Sequence, residues 1–335
     1  MLVVFSLEVM PGKEKYIFGP VPSRRLGLSL GLDIVPAKVC TLDCIYCQVG
    51  RTTQKTIERK EYVPIEAVLD ELKARLKKDL RADLSAVRLA DYLTVSGSGE
   101  PTLNSKLGFL IDEIKKFSSI PVAVLTNGTL LYLPDVRRDC AKADVVLPSL
   151  DAGDELTFAK INRPHPDISI KKVVEGLIEF RKEYSGRIWL EVFIVDGINT
   201  GQAEIAAIKR AIEQIRPDKV QLNTAVRPTA EPGVKRVEEG RLQLIAQTLG
   251  PNCEVIADFH RQGGKDGQPI TIEHCSQIPA DALLSMLKRR PCSLEDICKG
   301  LGLNKNLASK YLAELQSRGL VSSEQVNDTV FFKIR

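Results

Sequence analysis

Three cysteines close together in one short segment constrain this chain more than any other feature. Cys40, Cys44 and Cys47 lie within eight positions, and they are three of the eight cysteines in the sequence. Thiolates at this spacing can converge from one loop on an iron–sulfur cluster or on zinc, because both are soft enough to prefer sulfur. A 4Fe–4S cluster usually takes four cysteines. A loop that supplies three therefore predicts a cluster in which one iron stays open to another ligand.

Two other interpretations of this loop stay open. A structural zinc site needs a fourth ligand, commonly Cys or His, and the three histidines, His165, His260 and His274, all lie far along the chain. The three thiols are alternatively unrelated to one another. A disulfide between near neighbours suits a small secreted scaffold rather than a chain of 335 residues. The spacing favours the cluster over these alternatives.

The remaining cysteines do not form a second tight group. A further cluster would need several of them to converge, whereas single buried thiols are common in protein cores. We therefore expect no auxiliary cluster from Cys140, Cys253, Cys275, Cys292 and Cys298. The lone histidines His165 and His260 are expected to be structural rather than acid–base groups.

A second segment predicts a ligand-binding turn at the end of a strand. Residues 91–95 are typical of a buried strand and run directly into Ser96-Gly97-Ser98-Gly99-Glu100-Pro101. Small residues let backbone amides approach a ligand closely. A dinucleotide fingerprint needs another glycine at the position of Thr102, so a simple Rossmann site is excluded. A tight strand-to-helix turn without a ligand is the alternative.

Together these motifs resemble a known family. The pattern Cys40-x3-Cys44-x2-Cys47, with Tyr46 just before the last cysteine, resembles the signature of the radical S-adenosylmethionine (SAM) superfamily. Gly99-Glu100-Pro101 resembles the methionine-binding motif of that superfamily. The resemblance implies a 4Fe–4S cluster whose open iron binds the amino and carboxylate groups of SAM. It also implies that an electron breaks the sulfonium carbon–sulfur bond, and that the resulting 5′-deoxyadenosyl radical abstracts a substrate hydrogen. A reductant protein of the flavodoxin or ferredoxin type is implied as a partner.

The entry to the cysteine loop narrows the resemblance. Residues 18–25 with the cysteine motif are similar to a group of radical SAM proteins placed near the wyosine-type tRNA-modifying enzymes. The wyosine enzymes carry an additional cysteine set ahead of the radical SAM motif, and this chain has no cysteine before Cys40. We therefore do not expect pyruvate-dependent wyosine chemistry. We also expect no cobalamin-type domain ahead of residue 16.

The resemblance places further residues around SAM. Ser98, Gly99 and Glu100 would contact its methionine end, where an ammonium group needs carbonyl or carboxylate acceptors. Tyr46 would lie beside the adenine. The ends or interiors of later strands supply the other predicted contacts: Asn127, Ser149, Asp151 and Glu191. Hydrogen bonding within the protein is the alternative role for each of these, and no catalytic residue is assigned.

Strand and helix patterns alternate six times along the chain. The predicted strands, each followed by a helix, are 27–35, 91–95, 120–125, 145–151, 187–195 and 219–224, with 254–260 as a further candidate. Each helix supplies the crossover between parallel neighbours. The sequence therefore predicts an α/β fold, a partial (β/α)6 TIM-type barrel, which the resemblance also implies. Residues 18–25 are predicted to be a turn-rich entry in which Arg24 and Arg25 are solvated.

The end of the chain has a different pattern. We predict a radical SAM partial barrel over residues 1–260, a linker over 261–279, and a separate domain over 280–335. Three helices followed by a hairpin around Asn327-Asp328 resemble a winged helix-turn-helix domain. This segment has nine Lys and Arg residues against six Asp and Glu residues. That surplus is small for a DNA-binding protein, so DNA is not an expected partner.

Composition and motifs together select among classes of function. The net charge is only +4 and no apolar run approaches the length of a membrane span, so we expect a soluble, cytoplasmic protein without a membrane partner. The leading hypothesis is a radical SAM enzyme that modifies a large substrate, RNA or protein, with the C-terminal domain helping to dock it. The alternatives are a radical SAM enzyme acting on a small metabolite and a DNA-binding regulator that senses redox state through its iron–sulfur cluster.

Overall fold

The computed structural model describes residues 16–81, 90–257, 259, 280–326 and 329–335. The described side chains exclude those of residues 78–81, 280 and 281. The predicted linker 261–279 and the predicted turn at 327–328 therefore lie outside the described residues, as do His260, His274 and Cys275. None of the helices in the described ranges has the length and apolar character needed to cross a membrane.

In the described residues between 17 and 255, most strands are followed by a helix. In chain order the elements are β1 (Ile17–Ser23), β2 (Gly27–Leu32), β3 (Val39–Cys40), β4 (Gln54–Lys55), α1 (Ile65–Arg81), β5 (Tyr92–Val95), a 3₁₀ helix (Pro101–Leu103), α2 (Leu107–Phe117), β6 (Val122–Thr126), α3 (Pro134–Cys140), β7 (Val145–Pro148), α4 (Glu155–Asn162), α5 (Ile170–Glu183), β8 (Arg187–Ile194), α6 (Gln202–Ile215), β9 (Lys219–Thr224), α7 (Glu239–Leu249) and β10 (Cys253–Val255).

Eight of these strands form one sheet. Their spatial order is β1-β2-β5-β6-β7-β8-β9-β10, and β3 pairs with β4 in a separate short ladder. Every neighbouring pair from β2 to β10 is parallel, as expected when helices connect the strands. The predicted α/β class and the partial (β/α)6 barrel are confirmed, and β10 adds a short seventh parallel strand.

The entry to the barrel differs from the prediction of a turn-rich segment. Residues 17–23 form β1, which pairs antiparallel with β2 and carries an irregularity between Phe18 and Val21. Pro20 and Pro22 lie in this strand. Proline has no N–H to donate, so it is tolerated at an edge strand or a bulge, and β1 is both. Proline content alone therefore misidentified an edge strand as a turn.

The two faces of the sheet bury different residues. Along β8, Leu190 and Val192 belong to the main hydrophobic core, which the helices cover. Trp189 lies on the opposite, concave face in a smaller apolar cluster with Leu26 and Leu147. Because side chains alternate along a strand, Glu191 shares the concave face with Trp189. Along β8, the concave face thus carries the apolar Trp189 and, two residues further on, the polar Glu191.

Residues 280–335 form what we call the C-terminal unit. Its elements are α8 (Ala280–Arg289), β11 (Cys292–Ser293), α9 (Leu294–Leu301), α10 (Lys305–Ser317), β12 (Val321–Val326) and β13 (Thr329–Ile334). The three strands form their own sheet in the order β11-β13-β12. The sequence predicted the helices and the hairpin but not β11. The assignment to the winged helix-turn-helix class and the predicted domain boundaries stay predictions.

The C-terminal unit has its own core and packs on the barrel. Leu283, Ile297 and Leu312 are buried inside it, and Val21 of β1 packs against the same cluster. The predicted capping box of α9 is present, with Asp296 in place of glutamate. Asp296 accepts from the Ser293 backbone and the Ser293 hydroxyl accepts from the Asp296 backbone. The C-terminal unit is therefore held together by its own core and capping box, and it is held against the barrel by the contact with Val21.

Candidate radical SAM site

The cysteine loop (residues 40–47) follows β2 in the chain and begins at Cys40, the last residue of β3. The Cys40 carbonyl accepts from the Thr56 backbone N–H at 3.0 Å, and the Cys44 carbonyl accepts from that of Cys47 at 3.2 Å. All three cysteines are free and none is fully exposed. Burial raises the pKa of the Cys40 thiol to about 12, and it also raises the pKa of the Cys44 and Cys47 thiols. Metal binding would therefore have to displace their protons.

The donor set fits a cluster better than a single zinc ion. Within the described residues, no three His, Cys, Asp or Glu side chains close in on one ion position. A cluster gives each cysteine its own iron, so its ligands need no common contact point. Cys40, Cys44 and Cys47 follow one another in a single loop, whereas Cys140 and Cys292 are buried in the cores of the barrel and of the C-terminal unit. This is the donor set expected for a cluster with one open iron.

Two side-chain amides point at sulfur atoms of the cysteine loop. Asn127 Nδ2 lies 3.5 Å from Cys40 Sγ and also donates to Thr41 Oγ1 at 2.7 Å. Asn162 Nδ2 lies 3.4 Å from Cys44 Sγ and donates to Asp151 Oδ2 at 2.6 Å. Donors to thiolate sulfur stabilise the extra negative charge of a reduced cluster and so tune its potential. The sequence predicted Asn127 but missed Asn162, which is the last residue of α4.

The glycine loop (residues 96–101) lies directly against the segment that leads into the cysteine loop. The Ser98 carbonyl accepts from the Lys38 N–H at 2.6 Å, and the Glu100 N–H donates to the Val39 carbonyl at 3.0 Å. A Cβ on Gly99 would lie 2.4 Å from that same carbonyl oxygen of Val39, so only glycine allows the approach. Backbone hydrogen bonds with Lys38 and Val39 thus hold the glycine loop next to the cysteine motif, although Cys47 and Gly99 are 52 positions apart in the sequence.

Glu100 is almost fully buried, and both of its carboxylate oxygens are used inside the protein. Oε1 accepts from the Thr102 N–H and hydroxyl and from the Thr126 hydroxyl, at 3.0, 2.6 and 2.6 Å. Oε2 accepts from the Asn127 N–H at 2.8 Å. Burial raises the pKa of Glu100, and these hydrogen bonds oppose the shift. Glu100 therefore ties the glycine loop to the end of β6, and its predicted contact with SAM stays a prediction.

Asp151 connects the cysteine loop to β8. Its Oδ2 accepts from the Tyr46 hydroxyl at 2.5 Å, and its Oδ1 accepts from the Phe193 N–H at 2.9 Å. The Tyr46 and Phe193 rings are stacked, with centroids 3.9 Å apart and planes 7° from parallel. Burial raises the pKa of Asp151 to about 6, against the opposing effect of its hydrogen-bond donors. The sequence predicted Tyr46 and Asp151, but an apolar position in a strand gave no signal for Phe193.

Glu191 lies on the concave face and is paired with a cation. Arg25 Nη1 is 2.6 Å from Glu191 Oε2, and the Asn223 amide donates to Oε1 at 2.9 Å. Burial raises the pKa of Glu191, but the Arg25 guanidinium and the Asn223 amide outweigh it and hold the pKa below its ordinary value. Arg24 is exposed as expected, whereas Arg25 is not the solvated group that the sequence predicted.

The predicted residues gather at one end of the sheet. Asn127 and Ser149 follow β6 and β7 directly, at the carboxyl ends where parallel sheets bind ligands. Ser149 forms a bridge with Glu191. The outlying cysteines lie elsewhere: Cys140 is buried in the barrel core and Cys292 in the core of the C-terminal unit. His165 lies in the loop after α4, where its N–H donates to the Thr41 carbonyl.

Comparisons with known proteins identify the class. Residues 34–208 match the sequence model of the Radical SAM superfamily. The chain belongs to the radical SAM superfamily. It is 38% identical over 317 residues to a UPF0026 protein of Methanocaldococcus jannaschii, covering 94% of each chain. It is 36% identical over 322 residues to a protein of Brachyspira hyodysenteriae named GTPase Obg, covering 96% of this chain but only 45% of that one.

A solved structure shows the same fold. The structure of TYW1 with a lysine-pyruvate adduct superposes with a TM-score of 0.51 at 19% identity, covering 69% of this chain and 75% of that one. At this identity the likeness shows the fold alone. The predicted superfamily is confirmed, the chain is a radical SAM enzyme, and the predicted 4Fe–4S cluster and SAM are the cofactors of that class.

Proposed function

We propose that this enzyme abstracts a hydrogen atom from an RNA or protein substrate bound at the carboxyl end of the partial barrel. When bound, the cluster and SAM supply a 5′-deoxyadenosyl radical at the cost of one electron, which we assign to a reductant protein of the flavodoxin or ferredoxin type. Cys40, Cys44 and Cys47 would hold the cluster. A reducing cytoplasm suits three ligand thiols that are all free.

The remaining residues bind, orient and exclude water. The backbone of Ser98 and Gly99 would meet the methionine end of SAM, while Tyr46 would pack near the adenine. Ser149 and Asp151 would reach the ribose, since both follow β7 on the same edge as the cysteine loop. Residues 229–234 cover this edge, because the Glu231 N–H donates to the Ile45 carbonyl at 3.0 Å and Val234 packs against the cluster of Ile45. Asn127 would position the Cys40 sulfur, and Glu191 would face the substrate side.

One observation carries this proposal: the hydrogen bonds that join the glycine loop to Lys38 and Val39, the residues that lead directly into the cysteine loop. A SAM molecule chelated at the open iron needs its methionine end beside the ligating cysteines, and residues 98–100 lie there. Neither motif would bind SAM alone. If the glycine loop lay elsewhere in the sheet, the open iron would have no hydrogen-bond acceptors beside it for the methionine end of SAM.

The cofactor assignment is tested with a matched pair of cysteine variants. Cys44→Ala removes a ligand, whereas Cys298→Ala removes a half-buried thiol of the C-terminal unit that we assign no role. After anaerobic reconstitution, the first variant should lose most of its iron and all reductive cleavage of SAM to 5′-deoxyadenosine. The second variant should match the wild type in both. Equal iron content in the two variants would refute the assignment of the ligands.

The substrate class rests on the surface of α10. Lys305, Ser309 and Lys310 are exposed on this helix, while Ala308 and Leu312 face the core of the C-terminal unit. A polar, basic helix face is suited to a charged macromolecule. Mass spectrometry of nucleosides and proteins from cells with and without the gene should reveal one modification that disappears. The double variant Lys305→Glu/Lys310→Glu should then lower that modification while leaving SAM cleavage unchanged.

The same variant separates the alternatives. A reaction on a small metabolite would proceed at the wild-type rate in Lys305→Glu/Lys310→Glu, because α10 lies outside the barrel. A redox-sensing regulator would not consume SAM, so the purified protein would form no 5′-deoxyadenosine under reducing, anaerobic conditions.

A further inference from the structure

Asp33 makes a separate set of contacts with the glycine loop. It follows β2, and its carboxylate accepts from the Ser98 N–H at 3.0 Å and from the Ser98 hydroxyl at 3.2 Å. Gly97 has a φ of +142°, and a Cβ built there would lie 1.8 Å from Asp33 Oδ1. The backbone of the glycine loop is therefore pressed against this carboxylate. Any displacement of Asp33 must displace Ser98.

Asp33 is in turn held by the C-terminal unit. Arg289, the last residue of α8, donates from Nε to Asp33 Oδ2 at 3.0 Å. Its guanidinium lies 4.1 Å from the centroid of the Phe18 ring, and its Nη1 donates to the Ser285 carbonyl at 2.7 Å. The Arg289 side chain is 11% exposed and that of Asp33 is 15% exposed. A pair this enclosed, with its cation fixed on three sides, has one preferred geometry.

A second contact fixes the C-terminal unit to the other end of the barrel. Arg227 follows β9 and is 4% exposed. It donates to the Pro291 carbonyl at 3.3 Å and to Asp296 Oδ1 at 3.4 Å. Residues 289–296 therefore contact both the loop after the first barrel strand, β2, and the loop after the sixth, β9. They bridge the two sides of a sheet whose described strands are open at both edges.

We propose that Arg289 is a positioning residue for SAM, which acts through Asp33 to fix Ser98 and so makes the C-terminal unit a part of the cofactor-binding site. The inference rests on the proposed assignment of the glycine loop to SAM. Deleting residues 280–335 would therefore not leave an intact barrel. It would strip a buried cation from Asp33 and uncover β1, whose Val21 packs in the core of the C-terminal unit.

The test compares two variants that each break one bridge. Arg289→Met removes the contact that leads to Ser98, and Arg227→Met removes the contact at β9. Both loosen the C-terminal unit, so both should lower the Tm. Only Arg289→Met should weaken SAM binding, measured by equilibrium dialysis on the reconstituted protein, by about tenfold, because it removes a charged hydrogen bond behind the loop. Iron content should match the wild type in both, and Arg289→Lys should restore part of the affinity.

Coupling to Ser98 is tested by a double variant. Ser98→Ala removes the hydroxyl that donates to Asp33. If Arg289 acts through Asp33 and Ser98, the loss of affinity in Arg289→Met/Ser98→Ala should be clearly smaller than the two single losses combined. This cycle also gives an answer if Arg227→Met fails to fold.

The outcomes separate this inference from the proposed function. Wild-type affinity in Arg289→Met, or an equal loss of affinity in Arg227→Met, would overturn the positioning role and leave the enzyme assignment standing. Full additivity in the double variant would overturn it as well. If the reconstituted wild type binds no SAM, the proposed function fails, and the positioning role fails with it.

Discussion

Neutral hydrogen-bond donors stabilise the buried carboxyl groups beside the cysteine loop, whereas a positive charge stabilises the carboxyl group on the concave face. Glu100 and Asp151 accept hydrogen bonds from hydroxyls and amides, and burial raises the pKa of both, to about 6 for Asp151. Glu191 is paired with Arg25, and its pKa lies below the ordinary value. On the concave face, the negative charge of Glu191 is thus neutralised by a cation of the protein itself. The edge around the cysteine loop instead holds buried acidic groups, which suit a cationic ligand such as a sulfonium compound.

Arg25→Met should have the largest effect on stability. It leaves Glu191 buried without its counter-charge, and removing one partner of such a pair costs about 3 kcal/mol of unfolding free energy. Arg210→Met on the exposed face of α6 is the control, and it should change the unfolding free energy by less than about 0.5 kcal/mol. Equal unfolding free energies of the two variants, measured by denaturant titration of the apoprotein, would show that the concave face is not charge-neutralised by this pair.

The same pair has a pH dependence of known sign. Because the pKa of Glu191 is lowered in the folded protein, its contribution to stability is present above about pH 4.5 and is lost as the pH falls through the folded pKa. In Arg25→Met the pKa of Glu191 should instead rise, so the penalty is largest at neutral pH. The stability difference between wild type and variant should therefore shrink between about pH 7 and pH 5. A stability difference that grows on acidification would contradict the assignment of Arg25 as the counter-charge of Glu191.

Glu100→Gln tests the other half of the comparison and should have a smaller effect. The carboxamide replaces one acceptor oxygen by a donor, so either the Asn127 N–H or the threonine donors lose a partner. We expect a loss of about 2 kcal/mol in unfolding free energy. Glu175→Gln, at an exposed position of α5, should be neutral. An unchanged Tm for Glu100→Gln would mean that this carboxylate does not join the glycine loop to β6.

Asn162→Ala should have the smallest effect, on the potential of the cluster. Losing one N–H donor to Cys44 Sγ destabilises the reduced state by about 1 kcal/mol, which lowers a one-electron potential by roughly 40 mV. Asn306→Ala on the exposed start of α10 is the control. Redox titration followed by electron paramagnetic resonance (EPR) measures both. An unchanged or higher potential would show that the Asn162 amide does not stabilise the reduced cluster through the Cys44 sulfur.

The sequence predicted the parts of the site that depend on local spacing. The three cysteines, Tyr46 and the Ser98–Glu100 segment all lie in short motifs, and the strand periodicity located the ends where Asn127, Ser149 and Asp151 lie. Arg25 was wrongly expected in solvent, because its partner Glu191 is 166 positions away. Asn162, Phe193 and Asp33 gave no signal for the same reason: each acts through a contact between distant segments, which only the fold brings together.

The C-terminal unit shows the same limit on a larger scale. Its helices could be predicted from periodicity and from the capping residues of α9. Its attachment could not, since Arg289 pairs with a carboxylate 256 positions earlier and Arg227 with one 69 positions later. A lone arginine in a mildly basic segment is normally solvated. Arg289 and Arg227 differ from solvated arginines because they are buried, and residue type alone does not reveal this.

The central claim is that three cysteines hold a cluster with an open iron at which SAM binds beside the glycine loop. The EPR spectrum of the anaerobically reduced protein, recorded with and without SAM, tests it most directly. The account predicts a 4Fe–4S signal whose g values change when SAM is added. A signal that is the same with and without SAM, or a protein that holds tetrahedral zinc instead of iron, would contradict it.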